Sequence, residues 1–272
     1  MSLRLVIPLL IVMLIVIKRW NFTDLQVRLL RLISPAGPNF SAGDTFYAGK
    51  SKVGVLMGDG FFEKIRGKTV IDFGCGEGAA AVEMAREGAA RVIGVDIRPE
   101  VLKIAEQCAR EAGVCDRCTF VTSSPELADF VVSVDAFEHF ADPGDILHRM
   151  SQLLRPSGEV LVSFGPTWYH PLGGHLFSIF PWSHLIFTEE ALMRWRSAFD
   201  ADGAKRFGEV GGGLNQMTIS RFEKLVAESP LKMAAFHSVP IRRLRPLHNR
   251  LTREFTTAVV QCRLVKPGST LG

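Results

Sequence analysis

The chain has 272 residues, 47% of them hydrophobic and 22% charged, with a net charge of +4. It is too apolar to be disordered and long enough for one sizeable α/β domain with additions. The basic excess is too small to point to nucleic acid as a partner. Five cysteines, odd in number and unevenly spread, do not read as a secreted disulfide framework, so a reducing compartment fits better.

Leu5 to Ile17 is uninterrupted apolar sequence, with Arg4 before it and Lys18, Arg19 and Trp20 after it. As a helix it would reach about 20 Å, short of the roughly 30 Å hydrocarbon core unless its ends join in. No small-x-small cleavage site follows, which argues against a removed signal peptide. Residues 1–20 are therefore expected to form a hydrophobic, membrane-anchor-like helix. Lys18, Arg19, Arg28 and Arg31 outnumber Arg4, placing the rest of the chain on the cytoplasmic side, or in the cytoplasm if the segment does not anchor. Residues 21–66 read as an arm, with an amphipathic helix over 25–32 and a Pro/Gly loop at Ser34 to Pro38.

Residues 67–265 carry a different signal. Thr69 to Phe73 is a short β-prone run that ends in glycines and leads into an Ala-rich helix. Strands follow at Arg91 to Val95, Cys118 to Val121, Phe130 to Val134 and Glu159 to Phe164, with helices at Pro99 to Ala112 and Pro143 to Leu154. Asp142 caps the latter helix, proline occupies its first position, and Pro156-Ser157-Gly158 stops it. This alternation predicts an α/β fold with a Rossmann-like, doubly wound, mostly parallel sheet. Helices near Thr188 to Ala198 and Thr218 to Ser229 come next, then two β-prone runs at Leu231 to Val239 and Thr256 to Leu264, expected to close the sheet as an antiparallel pair. The stretch of about 165–230 reads as a substrate-side insertion.

Asp72-x-Gly74-x-Gly76-x-Gly78 sits at a strand-to-helix turn, where glycines let the chain turn tightly and a ligand approach the backbone. A second strand ends in Asp96, where a carboxylate can accept the hydroxyls of an adenosine ribose. Gly74, Gly76 and Ala79 also satisfy the dinucleotide pattern G-x-G-x-x-A, so these two motifs alone leave a nicotinamide enzyme open.

Further blocks extend the pattern. Val70 to Gly78, Val92 to Ile97, Asp129 to Ser133 with Phe137 to Pro143, and Leu153 to Glu159 occur in order. In these four blocks the chain resembles the class I S-adenosylmethionine-dependent methyltransferases, in particular the ubiquinone-biosynthesis type of small-molecule methyltransferase. The resemblance covers about residues 67–165. It implies S-adenosylmethionine as cofactor, with Gly74, Cys75, Gly76 and Gly78 lining it, Asp72 near its amino group, Asp96 on the ribose and Ile97 against the adenine. The family often has an acidic residue after strand three; here Thr122-Ser123-Ser124-Pro125 stands there, and Ser123 or Ser124 is expected to substitute.

Methyl transfer is a displacement that needs alignment and water exclusion, with a base helpful when the acceptor is a hydroxyl. The loop after strand five offers His170 and His175 as base candidates, with Trp168 and Tyr169 able to stack on an acceptor. The aromatic run Leu176 to Phe187 reads as core or as a lipophilic pocket lining. The acceptor is expected to be small and lipid-like, methylated on oxygen, with membrane-surface contact through residues 1–20 and no nucleic acid. Arg242, Arg243, Arg245, Arg250 and Arg253 form a basic cluster in the tail, usually a solvated loop. Cys115-Asp116-Arg117-Cys118 lacks a second ligand pair, so no metal site is expected. Two rival readings are an NAD(P)-dependent oxidoreductase and a non-catalytic cofactor-binding scaffold.

Overall fold

The computed structural model describes residues 22–37, 51–58 and 60–268. The apolar segment Leu5 to Ile17 lies outside these residues. Among the described residues, no helix is long and apolar enough to cross a membrane.

The chain divides into two compact units, one of Met1–Phe40 with Pro171–Leu214 and one of Ser41–His170 with Asn215–Gly272. The second unit holds the sheet. Its strands are β1 (Thr69–Phe73), β2 (Arg91–Val95), β3 (Cys118–Val121), β4 (Ala128–Val134), β5 (Leu154–Phe164), β6 (Lys232–Pro240) and β7 (Thr257–Val265), in the order β3-β2-β1-β4-β5-β7-β6. The first five pair in parallel, and β7 joins β5 and β6 antiparallel. The expected doubly wound sheet with an antiparallel closing pair is therefore present. β1 and β2 are buried along nearly their whole length, which is why they read as unbroken apolar runs rather than alternating ones.

Numbering helices along the chain, α1 spans 22–33, α2 Lys52–Met57, α3 Phe61–Ile65, α4 Ala79–Arg86, α5 Pro99–Glu111, α6 Pro143–Leu153, α7 Ser183–Ile186, α8 Glu189–Arg196, α9 Ile219–Glu228 and α10 Arg253–Thr256. The caps follow the local chemistry. Asp142 accepts the Asp145 amide at 3.0 Å and has proline behind it in α6, while Thr218 accepts the Arg221 amide at the start of α9.

Two features depart from the reading of the sequence. The helices α2 and α3 were not anticipated, because six and five residues are too few to show a period, yet Val53, Phe61 and Ile65 are buried in one core layer with Val70, Met84 and Val92. The Pro156-Ser157-Gly158 stretch, expected as a break before strand five, lies within β5. Leu154 already pairs with Ala128, and a register shift between Ala128 and Phe130 absorbs the irregularity. The opposite layer packs Ile71, Val131, Val160 and Leu264 against Leu147 of α6 and Phe222 of α9. The two layers hold the C-terminal ends of β1, β2 and β4 in fixed register.

In the first unit, α1 lies against α8. Gln26 Oε1 accepts the Thr188 amide at 2.8 Å, Asp24 pairs with Arg194 at 2.8 Å, and the Trp195 indole donates to Ser34 O at 3.2 Å. Phe177 and Phe207 stack edge-on with centroids 4.8 Å apart. The aromatic run thus divides, with Phe177 buried while Leu176, Leu185 and Ile186 are exposed.

Candidate cofactor site

The turn after β1 is built by three left-handed glycines, with φ of 80° at Gly74, 51° at Gly76 and 80° at Gly78. A side chain at Gly74 would place its Cβ 2.8 Å from that of Ala136, and one at Gly78 would sit 2.7 Å from that of Ala105. These two glycines therefore serve close packing of the turn on the β4 end and on α5. Gly76 differs: the nearest atom to a Cβ there would be Arg98 Nη2 at 3.9 Å, so this side of the turn is open. The amides of Gly74 and Cys75 both donate to Val95 O, at 2.8 and 3.1 Å, fixing the turn to the end of β2.

Asp96 sits at that end, 8% exposed. Its Oδ2 accepts the Gly76 amide at 3.0 Å, and its Oδ1 accepts the Arg98 amide and guanidinium, both at 3.0 Å. Partial burial works to raise its pKa, but the Arg98 guanidinium and the two amides overcome that and hold the carboxyl below its usual range. Asp96 is thus an anion fixed beside the open glycine.

Asp72, 1% exposed, closes β1. Burial lifts its carboxyl to about 7, opposed by a backbone hydrogen bond and assisted by the Asp96 charge. Its Oδ2 is buried without a hydrogen-bond partner among the described residues. An orphaned buried carboxylate oxygen is costly and suits a ligand that brings a cation. Burial, with the Asp72 and Asp96 carboxylates, pushes the Cys75 thiol up, so it is an inert, small group at this turn.

The other expected cofactor contacts are less built. Ile97 is 84% exposed. Ser123 is exposed, and the Ser124 hydroxyl oxygen accepts the Glu126 amide at 3.1 Å inside its own turn.

The β4 end adds Asp135, Lys52 and Asn215, which nothing in the sequence marked, and gives Glu138 a buried position. Asp135 adopts φ 46° and pairs with Lys52 of α2 at 2.8 Å. Burial pushes its carboxyl up, against the pull of the Lys52 ammonium. Glu138, 2% exposed, accepts the Gly165 amide at 3.4 Å; burial, then the Asp135 charge, lifts it to about 8. Asn215 ties the same turn together, its Nδ2 donating to Phe137 O and Phe140 O at 2.8 and 2.9 Å and its amide donating to Glu138 O at 2.9 Å. The signal for Glu138 was the Glu138-His139 pair in the Phe137 to Pro143 block, which the resemblance puts beside the cofactor without a catalytic step; nothing local marked Asn215 or Lys52.

His170 and His175 are not brought into one unit: His170 ends one segment of the sheet unit, and His175 belongs to the other. The His170 amide donates to Thr167 O at 2.9 Å, and His175, at φ 51°, has Nδ1 3.0 Å from Gly173 O. A cavity of about 190 Å³ in the sheet unit lies elsewhere, lined by residues such as Phe61, Lys64, His237 and Arg263 of α3, β6 and β7.

Comparisons with known proteins cover the same stretch of chain. Residues 71–162 match the family model described as a methyltransferase domain. The ubiquinone biosynthesis O-methyltransferase of Photorhabdus laumondii is 37% identical over 107 residues, which are 36% of this chain and 43% of that protein. That of Salmonella newport is 39% identical over 103 residues, again 36% of this chain, and 42% of that protein. The match thus spans less than half the length of these curated relatives. Among solved structures, the methyltransferase SibL superposes with a TM-score of 0.52 at 18% identity, covering 78% of this chain and 54% of that one. Mitomycin 7-O-methyltransferase superposes at 0.50 and 16%, covering 79% of this chain and 52% of that one. These likenesses concern the fold. Residues 71–162, which carry the glycine turn, Asp72 and Asp96, thus match a methyltransferase domain, set in a Rossmann-like fold.

Proposed function

We propose that the protein transfers a methyl group from S-adenosylmethionine to an oxygen of a small, lipophilic acceptor. The observation that carries the reading is the pairing of an orphaned, buried Asp72 carboxylate with the fixed Asp96 anion across a turn left open at Gly76. In this reading Asp72 takes an ammonium group and Asp96 the ribose hydroxyls, with Gly74, Cys75, Gly76 and Gly78 forming the turn; Ile97, Ser123 and Ser124 are assigned the adenine side. The bound cofactor supplies an electrophilic sulfonium methyl. The chain's own task is to hold the acceptor in line and keep water out.

The match to ubiquinone biosynthesis O-methyltransferases supports oxygen as the methylated atom. His170 and His175 are assigned to the acceptor side, within the 165–230 stretch, as groups that orient it or take its proton. Residues 1–20 are assigned to attachment at the cytoplasmic face of a membrane.

The test is binding followed by turnover. S-adenosylhomocysteine should raise the melting temperature and NAD should not; stabilisation by NAD alone overturns the cofactor assignment. Labelled methyl transfer to a panel of phenols and catechols should give O-methyl products. Tight cofactor binding without turnover across the panel would favour the scaffold reading, and unchanged kcat in His170→Ala and His175→Ala would remove their role.

A further inference from the structure

The helix α1 is amphipathic in an unusual sense, because it keeps an apolar face outside. It buries Thr23, Gln26, Val27 and Leu30, the first two hydrogen-bonded to α8 residues or the α8 cap. Yet Phe22, Leu25, Leu29, Leu32 and Ile33 remain 56%, 53%, 41%, 79% and 50% exposed. At 100° per residue these five fall in one arc of about 100°, a continuous stripe beside the buried face. Scattered exposed leucines need no explanation, but a contiguous helical stripe does.

The flanking charge is specific. Arg28 and Arg31 are exposed, lie on the arc next to the stripe, and make no ion pair among the described residues. The acid on that arc, Asp24, is paired with Arg194 of α8 at 2.8 Å. The exposed edge is thus cationic. In the sequence, Lys18, Arg19 and Trp20 and the apolar run Leu5 to Ile17 come immediately before the helix. An apolar stripe edged by arginines and continuous with an apolar terminus matches an interfacial helix, whose arginine stems snorkel to the headgroups. Ile186, two residues before the Thr188 that bonds Gln26, is 60% exposed and widens the apolar surface of this unit.

We propose that α1 lies in the surface of an anionic lipid membrane, its Phe22, Leu25, Leu29 and Leu32 stripe entering the headgroup boundary and Arg28 and Arg31 meeting lipid phosphates. This contact adds to any attachment by residues 1–20 and does not depend on the reaction of the sheet unit.

The experiment uses the full-length protein with vesicles of phosphatidylcholine alone or with added phosphatidylserine. The triple variant Leu25→Ser, Leu29→Ser, Leu32→Ser should partition to the anionic vesicles roughly tenfold or more weakly than wild type. Its melting temperature should fall by only a few degrees and its fold should persist by circular dichroism, because the replaced groups are at least 41% exposed. Arg28→Gln with Arg31→Gln should remove most of the preference for phosphatidylserine. As a readout local to the helix, a tryptophan introduced by Leu29→Trp should be quenched by brominated lipid beyond the quenching of the wild-type chain. Equal partitioning of the triple variant, or no added quenching at position 29, overturns the proposal. So does a lipid-free dimer that the triple variant converts to monomer, which would make the stripe an interface between copies of the chain.

Discussion

The Asp96 carboxylate accepts the Gly76 amide at 3.0 Å, joining the end of β2 to the glycine turn after β1. The same oxygen also accepts Arg98 Nη2, at 3.1 Å, so turn, carboxylate and guanidinium form one rigid unit beside the opening at Gly76. Asp96→Asn removes the anion while nearly keeping the shape. It should weaken binding of S-adenosylhomocysteine by about 10- to 100-fold in calorimetry, the loss expected when hydrogen bonds to a charged group become neutral.

Gly78 and Gly67 separate backbone strain from crowding. Both have positive φ, 80° and 69°, but a Cβ at Gly78 would lie 2.7 Å from Ala105 Cβ, whereas at Gly67 it would meet nothing within 4 Å. Gly67→Ala should cost about 1–2 kcal/mol of stability from conformation alone. Gly78→Ala should cost about 2–4 kcal/mol, because overpacking against α5 is added. Urea denaturation of the two variants checks the difference.

Asp72 sets a pH dependence whose sign is definite. Its folded-state pKa of about 7 lies above the ordinary 3.8, so the folded protein retains a proton that the unfolded chain has released. That contribution to stability is complete below the unfolded value and is lost as pH rises through about 7. Glu138, at about 8, acts in the same direction. In ligand-free protein, Asp72→Asn should therefore be more stable than wild type above pH 7, by on the order of 1–3 kcal/mol, with the difference shrinking through mild acid and vanishing only near and below the unfolded value of 3.8. A cationic ligand needs the ionised form, so wild-type cofactor affinity should fall as pH drops below 7 and that dependence should vanish in Asp72→Asn. Melting curves and calorimetry across pH check both halves.

Asn215 donates three hydrogen bonds to the 137–140 turn. That turn follows Ala136, which packs against Gly74, so its position reaches the cofactor turn through direct contact. Asn215→Ala should cost about 1–3 kcal/mol by orphaning the Phe137 and Phe140 carbonyls. It should also weaken cofactor binding without altering the pH profile, which distinguishes it from Asp72→Asn.

The strands and their order of appearance were legible because β1, β2 and β4 are short, largely buried runs bounded by glycine and polar turns, and the helix after β4 carries its own Asp142 cap. Asp72, the glycines and Asp96 were legible because they are consecutive or lie at a fixed offset within one βαβ unit. The short helices α2 and α3 were not, since neither is long enough to display a period, and their apolar residues gain meaning only against Val70 and Met84. Lys52 with Asp135, and Asn215 with Phe137 and Phe140, are far apart in the chain and meet only through the sheet.

Local chemistry was enough to establish the doubly wound class, to mark the glycine turn and to carry the methyltransferase resemblance, since each depends on neighbours within a few tens of residues. Tertiary structure decided the rest. It separated the packing glycines Gly74 and Gly78 from the open Gly76, left one Asp72 oxygen buried and unpartnered, and turned the apolar stripe of α1 outward. Whether a cavity, an unpaired oxygen or an exposed leucine exists depends on what the remainder of the chain places beside it, and that is a property of packing across long sequence separations.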